Sequence, residues 1–295
     1  MYRTWVITRH TFVEAVSQPI YALLLAFGAA VLAVFAFLPF FTLGEDTVMF
    51  KSVGLDIILL LVLLATLFAT SRSIHEEIED RTMLTLMSKP VSRAEVLLGK
   101  YLGILLSAGL AVAVLGALLC LCTWFRIPAD YQLNGRSFDE REVGRLFNLR
   151  QQHLTGLYPS LLLVWLQVGV LAAISVAIST RFSLVVNLPA VILLYIAGNL
   201  SRFLGDAVTE GSIIVRGLSA GLAIVLPFLE VFDLKKYTVY GQMGLESGDG
   251  ANAVSSLFVW TNVALSTLYA AFYAAFALVV GLIVFRNREL GGNEG

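Results

Sequence analysis

The chain has 295 residues, of which 58% are hydrophobic and only 14% are charged. Soluble globular domains carry about 25% charged residues, so this composition excludes a water-soluble protein. The 20 basic and 21 acidic residues leave a net charge of -1, without the basic excess typical of nucleic-acid-binding proteins, and no nucleic-acid partner is expected. Long uncharged stretches between clusters of charge predict an all-α, polytopic membrane protein with a single domain over residues 1–295.

The first segment, residues 1–19, has the pattern of an amphipathic helix. Tyr2, Trp5 and Val13 fall on one face at helical spacing, and polar side chains fall on the opposite face. We therefore expect a helix that lies in the membrane interface and is separated from the first span by Pro19.

Six apolar stretches are long enough to cross a bilayer, because about 20 helical residues span its core of about 30 Å. They lack the period-2 alternation of barrel strands, so each is predicted to be a transmembrane helix. The predicted spans are residues 20–41, 53–71, 101–125, 157–180, 182–203 and 258–285. The second contains Asp56 near its start, where we expect the carboxylate to lie at the interface.

Two longer polar regions are predicted to be external. Residues 126–156 have mixed charge and no sustained apolar period, which predicts a loop of modest size. Residues 204–257 include an apolar stretch, 213–229, that Arg216 and Pro227 interrupt, and we interpret it as a partly embedded or interfacial hairpin before the last span. The alternative is a seventh span, which would place the two chain ends on opposite sides. Six spans place both chain ends on one side, and the density of basic residues around the first span favours the cytoplasmic side of the inner membrane for both.

The polar stretch 72–100 contains ten charged residues. Ser73 and Glu76 have the spacing of a capping box, which predicts that a short helix begins there and runs over residues 73–88. Its acidic side chains would lie in the first turns, where the helix dipole favours them. The spacing thus predicts a short acidic helix between two membrane helices.

A second capping-box pattern, Ser92 and Glu95, follows that helix. It predicts the start of a helix that continues into the third span. Gly99 and Gly103 lie four residues apart in this helix, and we expect them to let a neighbouring helix approach closely.

Motifs for enzymatic chemistry are missing or incomplete. The sequence has no P-loop, so no nucleotide or other cofactor is expected on this chain, and its three histidines are too scattered to indicate a metal site. Gly217, Ser219 and Gly221 match the G-x-S-x-G pattern of a serine nucleophile. No predicted span supplies a histidine to activate Ser219, so an intramembrane hydrolase is the weaker alternative and no catalytic residue is assigned.

Polar side chains within spans mark either a transport pathway or contacts between helices. The pathway candidates are Gln167, Ser175, Asn187, Asn199 and Asn262. The sequence leaves both interpretations open for each of them.

The stretch 76–103 is more specific than the composition. It combines an acidic helix, the sequence Lys-Pro-Val-Ser-Arg at residues 89–93 and Leu-Leu-Gly-Lys at residues 97–100. In these features it resembles the loop of ABC-2 type permeases, the membrane subunits of a class of ATP-binding-cassette transporters. The similarity is closest to the branch that includes permeases of multi-copper enzyme and nitrous-oxide reductase maturation, and elsewhere in the chain it rests on architecture.

This resemblance implies that residues 73–88 form a coupling helix in a groove of a separate cytosolic ABC ATPase, which would carry ATP and magnesium. It also implies that two permease subunits, expected as a homodimer in membrane lipid, surround one pathway. No residue pattern indicates the substrate. The residues assigned to ATPase docking are Glu76, Glu77, Glu79, Asp80, Thr82, Leu84, Lys89, Pro90 and Arg93. The alternative function is a non-transporting membrane anchor or assembly scaffold for an extracytoplasmic enzyme.

Overall fold

The computed structural model describes residues 2–38, 46–80, 92–130, 140–199, 226–239 and 256–286. All regular structure within these ranges is helical. Seven helices of 16 residues or more are labelled in chain order: α1 Tyr2–Ser17, α2 Pro19–Phe37, α3 Asp46–Thr70, α4 Arg93–Asp130, α5 Glu140–Ser179, α6 Leu184–Asn199 and α7 Ser256–Arg286.

Five helices are long and apolar enough to cross a membrane, which confirms a multi-pass helical architecture. They contain α2, α3, α4, α5 and α7. The sixth predicted span, residues 182–203, coincides with α6, which has 16 described residues and rises about 24 Å. That rise is shorter than a bilayer core of about 30 Å, so the sixth crossing stays a prediction.

The chain continues past α3 without the predicted break. A π-helical turn, Ser71–Glu76, follows Thr70 directly, and a short α-helical turn, Glu77–Glu79, follows in the same direction. The prediction that a new helix begins at Ser73 is wrong, because Thr70 has helical dihedrals and no side chain caps the turn. A capping box needs a non-helical residue at its first position, and here the backbone hydrogen bonds of α3 extend through that position.

The prediction of a loop of modest size over residues 126–156 is also wrong for its described parts, which are helical. Helix α4 extends to Asp130, and α5 begins at Glu140. Contacts distant in sequence stabilise this helical segment: the Arg150 guanidinium lies 4.4 Å from the centroid of the Trp124 ring, and its Nε donates to the Trp124 carbonyl. Such contacts leave no periodic signal in the local sequence.

Two buried hydrophobic clusters hold the helices together. The larger one contains residues of all six helices from α2 through α7, with Leu63 and Leu115 among its members. The smaller one joins α1, the π-helical turn, α4, α5 and α7, with Ile74 and Ile104 among its members. Large apolar side chains such as Phe272 point outward instead, as expected of helices that face lipid.

Arginines of α4 cap two other helices. Arg126 donates to the carbonyls of Ala36 and Leu38 at the C-terminal end of α2. Arg93 donates to the carbonyls of Phe285 and Arg286 at the C-terminal end of α7. The last carbonyls of a helix lack intrahelical partners and carry partial negative charge, so both contacts satisfy and stabilise those ends.

The close approach predicted for Gly99 and Gly103 is confirmed, and the neighbour is α1. A Cβ on Gly103 would lie 2.7 Å from both the Thr8 carbonyl oxygen and the Thr11 Cβ. Helix α1 therefore packs on α4 through Ile7, Thr8 and Thr11, while Trp5 on its apolar face is 62% exposed. This arrangement suits a helix whose apolar side meets lipid.

We expect Gly103→Ala to destabilise the protein by about 1–3 kcal/mol, because the new methyl group would overlap the backbone of α1. Thermal unfolding of the purified protein in detergent measures the change. Gly144→Ala is the matched control, since no atom lies within 4 Å of a Cβ at that position. Equal unfolding midpoints for the two variants would contradict the close packing of α1 against Gly103.

Candidate functional site

The site assigned from sequence lies where α3 leads into the acidic segment. Lys100 of α4 is 3% exposed, and its ammonium points at the π-helical turn. It donates to the Ser73 carbonyl, to Ser73 Oγ at 3.1 Å and to Glu77 Oε1 at 2.7 Å. Burying an ammonium is unfavourable without such partners, so three oxygens at one point hold the end of α3 against α4. We call this contact the Lys100 clasp.

The predicted docking acids divide into two groups. Glu76, Glu79 and Asp80 are exposed. Glu77 is half-buried and bound to Lys100. The Glu79 carboxylate also lies 3.6 Å from Nε2 of His75, a buried side chain of the π-helical turn.

The other end of the predicted loop is anchored as well. The capping box at Ser92 is confirmed, since the Ser92 amide donates to Glu95 Oε2 at 2.9 Å and the Glu95 amide donates to Ser92 Oγ at 3.2 Å. Arg93 follows at once and caps α7, with its guanidinium 5.4 Å from the centroid of the Phe285 ring. Four further predicted docking residues, Thr82, Leu84, Lys89 and Pro90, lie outside the described residues.

Among the pathway candidates, Asn187 and Ser175 meet. Asn187 is fully buried on α6 and donates to Ser175 Oγ at 2.8 Å and to Ser179 Oγ at 3.0 Å, both on α5. Its Oδ1 has no hydrogen-bond partner within the described parts of the chain. This pair is a polar contact between two helices, the second of the two interpretations that the sequence left open.

Two other candidates bond within their own helices. Asn199 donates to the Tyr195 carbonyl, and Asn262 donates to the Phe258 carbonyl, each at 2.8 Å. Gln167 differs from both, because it is 6% exposed and lines a cavity rather than a helix contact.

That cavity lies towards the opposite end of α3 from the Lys100 clasp. Its volume is about 40 Å³. The polar side chains in its lining are Asp56, Ser160, Gln167, Tyr195, Asn199, Asp233 and Lys235. Lys235 Nζ forms an ion pair with Asp56, whose side chain is 58% exposed, in agreement with an interfacial position for that carboxylate. We call this cavity the Asp56 pocket.

Residues 226–239, which we call the outer segment, cover the Asp56 pocket. The segment contains a 3₁₀-helix, Leu229–Phe232, and a short α-helix, Lys235–Thr238. Tyr269 of α7 accepts a hydrogen bond from the Phe228 amide at 2.7 Å, and Ser266 donates to the Val231 carbonyl at 3.0 Å. Most of the predicted hairpin 213–229 and all of the Ser219 motif lie outside the described residues.

A buried pair that the sequence did not suggest joins α3 to α5. Lys51 Nζ lies 2.9 Å from His153 Nδ1, and Lys51 is 1% exposed. An ammonium can only donate, so a protonated Lys51 requires His153 to accept at Nδ1 and to carry its proton on Nε2. Sequence reasoning placed Lys51 before the second span and His153 in a loop, and the only available signal was a lysine close to a long apolar run.

No group of three or more potential metal-ligating side chains comes together within the described ranges. The contacts described above are ion pairs and hydrogen bonds that join helices. At one end of the bundle they connect helices to one another, and towards the other end they line a small polar pocket.

Comparison with known families gives the context for this arrangement. The model of the ABC-2 family transporter protein matches residues 11–290, nearly the whole chain. The chain belongs to the ABC-2 transporter family. This membership supports a membrane-embedded permease subunit of an ABC transporter, a component that works with a cytosolic ATPase subunit. No curated protein matches the sequence.

Replacing Lys100 by Met should release the π-helical turn, because Glu77 and the Ser73 carbonyl would lose their shared cation. We expect faster amide hydrogen exchange over residues 71–79, while exchange in α6 stays unchanged. A double-mutant cycle with Glu77→Gln tests the pairing, since the second substitution should add little once Lys100 is gone. Fully additive effects of the two substitutions on stability would contradict the clasp.

Proposed function

We propose that this ABC-2 permease receives the work of ATP hydrolysis from a separate cytosolic ATPase through the acidic segment after α3. The observation that carries the proposal is the anchoring on both sides of residues 81–91. Glu77 is bound to Lys100 before this stretch, and Arg93 is bound to the end of α7 after it. A displacement of the segment would therefore act on α3, α4 and α7 together.

The exposed acids are the docking contacts in this proposal. Glu76, Glu79 and Asp80 are exposed and can meet a partner surface, whereas Glu77 and Arg93 act through contacts within the chain. This separates docking from transmission, which the sequence-based assignment had treated as one set. ATP and its magnesium ion belong to the partner subunit, and no step of hydrolysis takes place on this chain.

We place the Lys100 clasp on the cytoplasmic side of the inner membrane, with both chain ends there. Two contacts support a common side for the ends. Helix α1 packs on Gly99 and Gly103 beside the clasp, and Arg286 at the end of α7 lies against Arg93. An ATPase that binds the exposed acids must share that compartment with both ends.

We further propose that two copies form a homodimer around one pathway, as the family resemblance implies. Membership of the multi-copper and nitrous-oxide reductase maturation branch is likewise a proposal and rests on the residues of the loop 76–103 alone.

The docking surface is tested by reversing its charge. We expect the triple variant Glu76→Lys, Glu79→Lys, Asp80→Lys to lose most of the P-loop ATPase that co-purifies with the tagged wild-type chain, quantified by mass spectrometry. The control is the triple variant Asp139→Lys, Glu140→Lys, Glu142→Lys, which makes the same charge change in the predicted external region. Undiminished association of the ATPase with the first variant would refute the assignment. Complex formation without transport-coupled hydrolysis in the wild type would support a scaffold instead.

Arg93→Gln tests transmission apart from docking. The variant keeps the exposed acids but removes the cap on α7, so we expect the ATPase to bind normally while its hydrolysis no longer responds to the permease. The measurement is ATPase activity of the reconstituted complex relative to the ATPase alone. If wild-type stimulation persisted in this variant, the α7 contact would have no part in coupling.

A further inference from the structure

The lining of the Asp56 pocket includes a largely buried amide side chain. The Gln167 side chain is 94% buried, given its 6% exposure, and lines the pocket. Its amide makes no hydrogen bond to any other described residue. The atoms of this amide are not among the fully buried side-chain atoms that lack a partner, so they reach the space of the pocket, where a group that enters it can hydrogen-bond to them. The cavity in front of it is the place for that group.

The charges around the pocket indicate the sign of its occupant. Two carboxylates, Asp56 and Asp233, line it together with one ammonium, Lys235. These three side chains carry a net charge of -1, and the ion pair between Lys235 and Asp56 leaves Asp233 without a side-chain cation among the described ion pairs. Within the described ranges, Asp233 Oδ1 accepts a backbone hydrogen bond from the Lys235 amide at 3.2 Å. The pocket therefore favours a cation.

Its size limits that cation to a small one. A water molecule needs about 10–15 Å³ of cavity measured in this way, so a pocket of about 40 Å³ has room for a few atoms. Lys235 shows that the pocket can accommodate a primary ammonium group, since its own ammonium pairs with the lining residue Asp56. Carboxylate and amide oxygens are suitable acceptors for the three N–H donors of such a group.

We propose that the Asp56 pocket binds a small organic cation, specifically a primary ammonium group, as a substrate or as part of one. This inference rests on the proposed transport function and adds a substrate class to it. The ligand's ammonium pairs with Asp56 in place of Lys235, and its hydrogen bonds reach the Gln167 carbonyl oxygen. Lys235 thus acts as an internal competitor that occupies Asp56 when no substrate is present.

Displacing Lys235 has a structural consequence for the outer segment. Lys235 is the first residue of the short helix Lys235–Thr238, which also contacts the bundle through the hydrogen bond between Thr238 and Ser160, at 2.7 Å, and through the Tyr237 ring, 5.2 Å from that of Phe258. Loss of the ion pair to Asp56 removes one of these side-chain contacts with the helix bundle. Binding of the ammonium group therefore loosens this part of the cover over the pocket.

The test uses the purified full-length chain in detergent without any ATPase, with methylammonium and ethanolamine as probes. Their dissociation constants are obtained from the rise of the unfolding temperature with probe concentration. For ethanolamine we expect a value on the order of 1 mM, given the few atoms that can make contact. Acetate, a small anion, is expected to have no effect.

Two substitutions are predicted to act in opposite directions. Gln167→Leu should weaken probe binding about tenfold or more, because it removes the buried acceptor. Lys235→Met should strengthen binding several-fold, because it removes the internal competitor. Gln151→Leu on the exposed side of α5 and Lys236→Met, whose ammonium lies 5.9 Å from the centroid of the Tyr237 ring, are the matched controls and should leave binding unchanged.

The proposal is overturned if neither amine stabilises the wild-type chain, or if acetate stabilises it as strongly as the amines. It is also overturned if Lys235→Met weakens amine binding. A general loss of folding cannot produce the expected tightening in that variant, so the sign separates binding from stability. Because no ATPase is present, failure here leaves the docking proposal standing, and failure of docking leaves this result unaffected.

Discussion

The arrangement of the helices around the acidic segment depends on the burial of one ammonium group. Lys100 is almost completely inaccessible, so its charge must be met by oxygens inside the protein. The backbone after α3 supplies them by continuing as a π-helical turn that brings the Ser73 carbonyl, its hydroxyl and the Glu77 carboxylate to one point. π-Helical turns inside longer helices occur frequently at functional sites. Here the turn fixes the direction in which the chain leaves the bundle, and with it the position of the exposed acids.

Helix α3 connects the two polar sites. Asp56 lies near its start and Glu77 just beyond its end, 21 residues later in a continuous helix, which corresponds to about 31 Å. Each site has a lysine from another element, Lys235 for Asp56 and Lys100 for Glu77. A continuous helix transmits axial displacement with little loss, since its hydrogen-bonded turns are stiff compared with a loop. In the proposed coupling, movement at the clasp would change the contact between Asp56 and Lys235 and so link docking to the proposed ligand pocket.

Sequence patterns predicted correctly those features that depend on interactions between residues close together in the chain. The apolar runs gave the long helices, and the Ser92 capping box was confirmed because its two residues bond to each other. The same pattern at Ser73 failed, since the preceding helix continued through it and left no free amide to cap. Helical structure before residue 157 depends on contacts such as Arg150 with Trp124, and the Asp56 pocket joins residues 179 positions apart. Neither can be recognised from periodicity, so Glu77 was predicted without its partner and Gln167 without its pocket.

The packing of α1 shows why amphipathicity has to be interpreted differently next to lipid. In a soluble protein the apolar face of such a helix would pack inward, yet here Thr8 and Thr11 meet α4 and Trp5 is exposed. Lipid solvates the apolar face, so the small polar face is left for helix contact, and the absence of side chains at Gly99 and Gly103 allows backbones to touch. Helix α4 consequently contacts α1 through its glycines, α3 through the Lys100 clasp and α7 through Arg93. In the proposed coupling, a rigid displacement of α4 would act on all three, so this helix, rather than the acidic segment itself, would distribute the movement through the subunit.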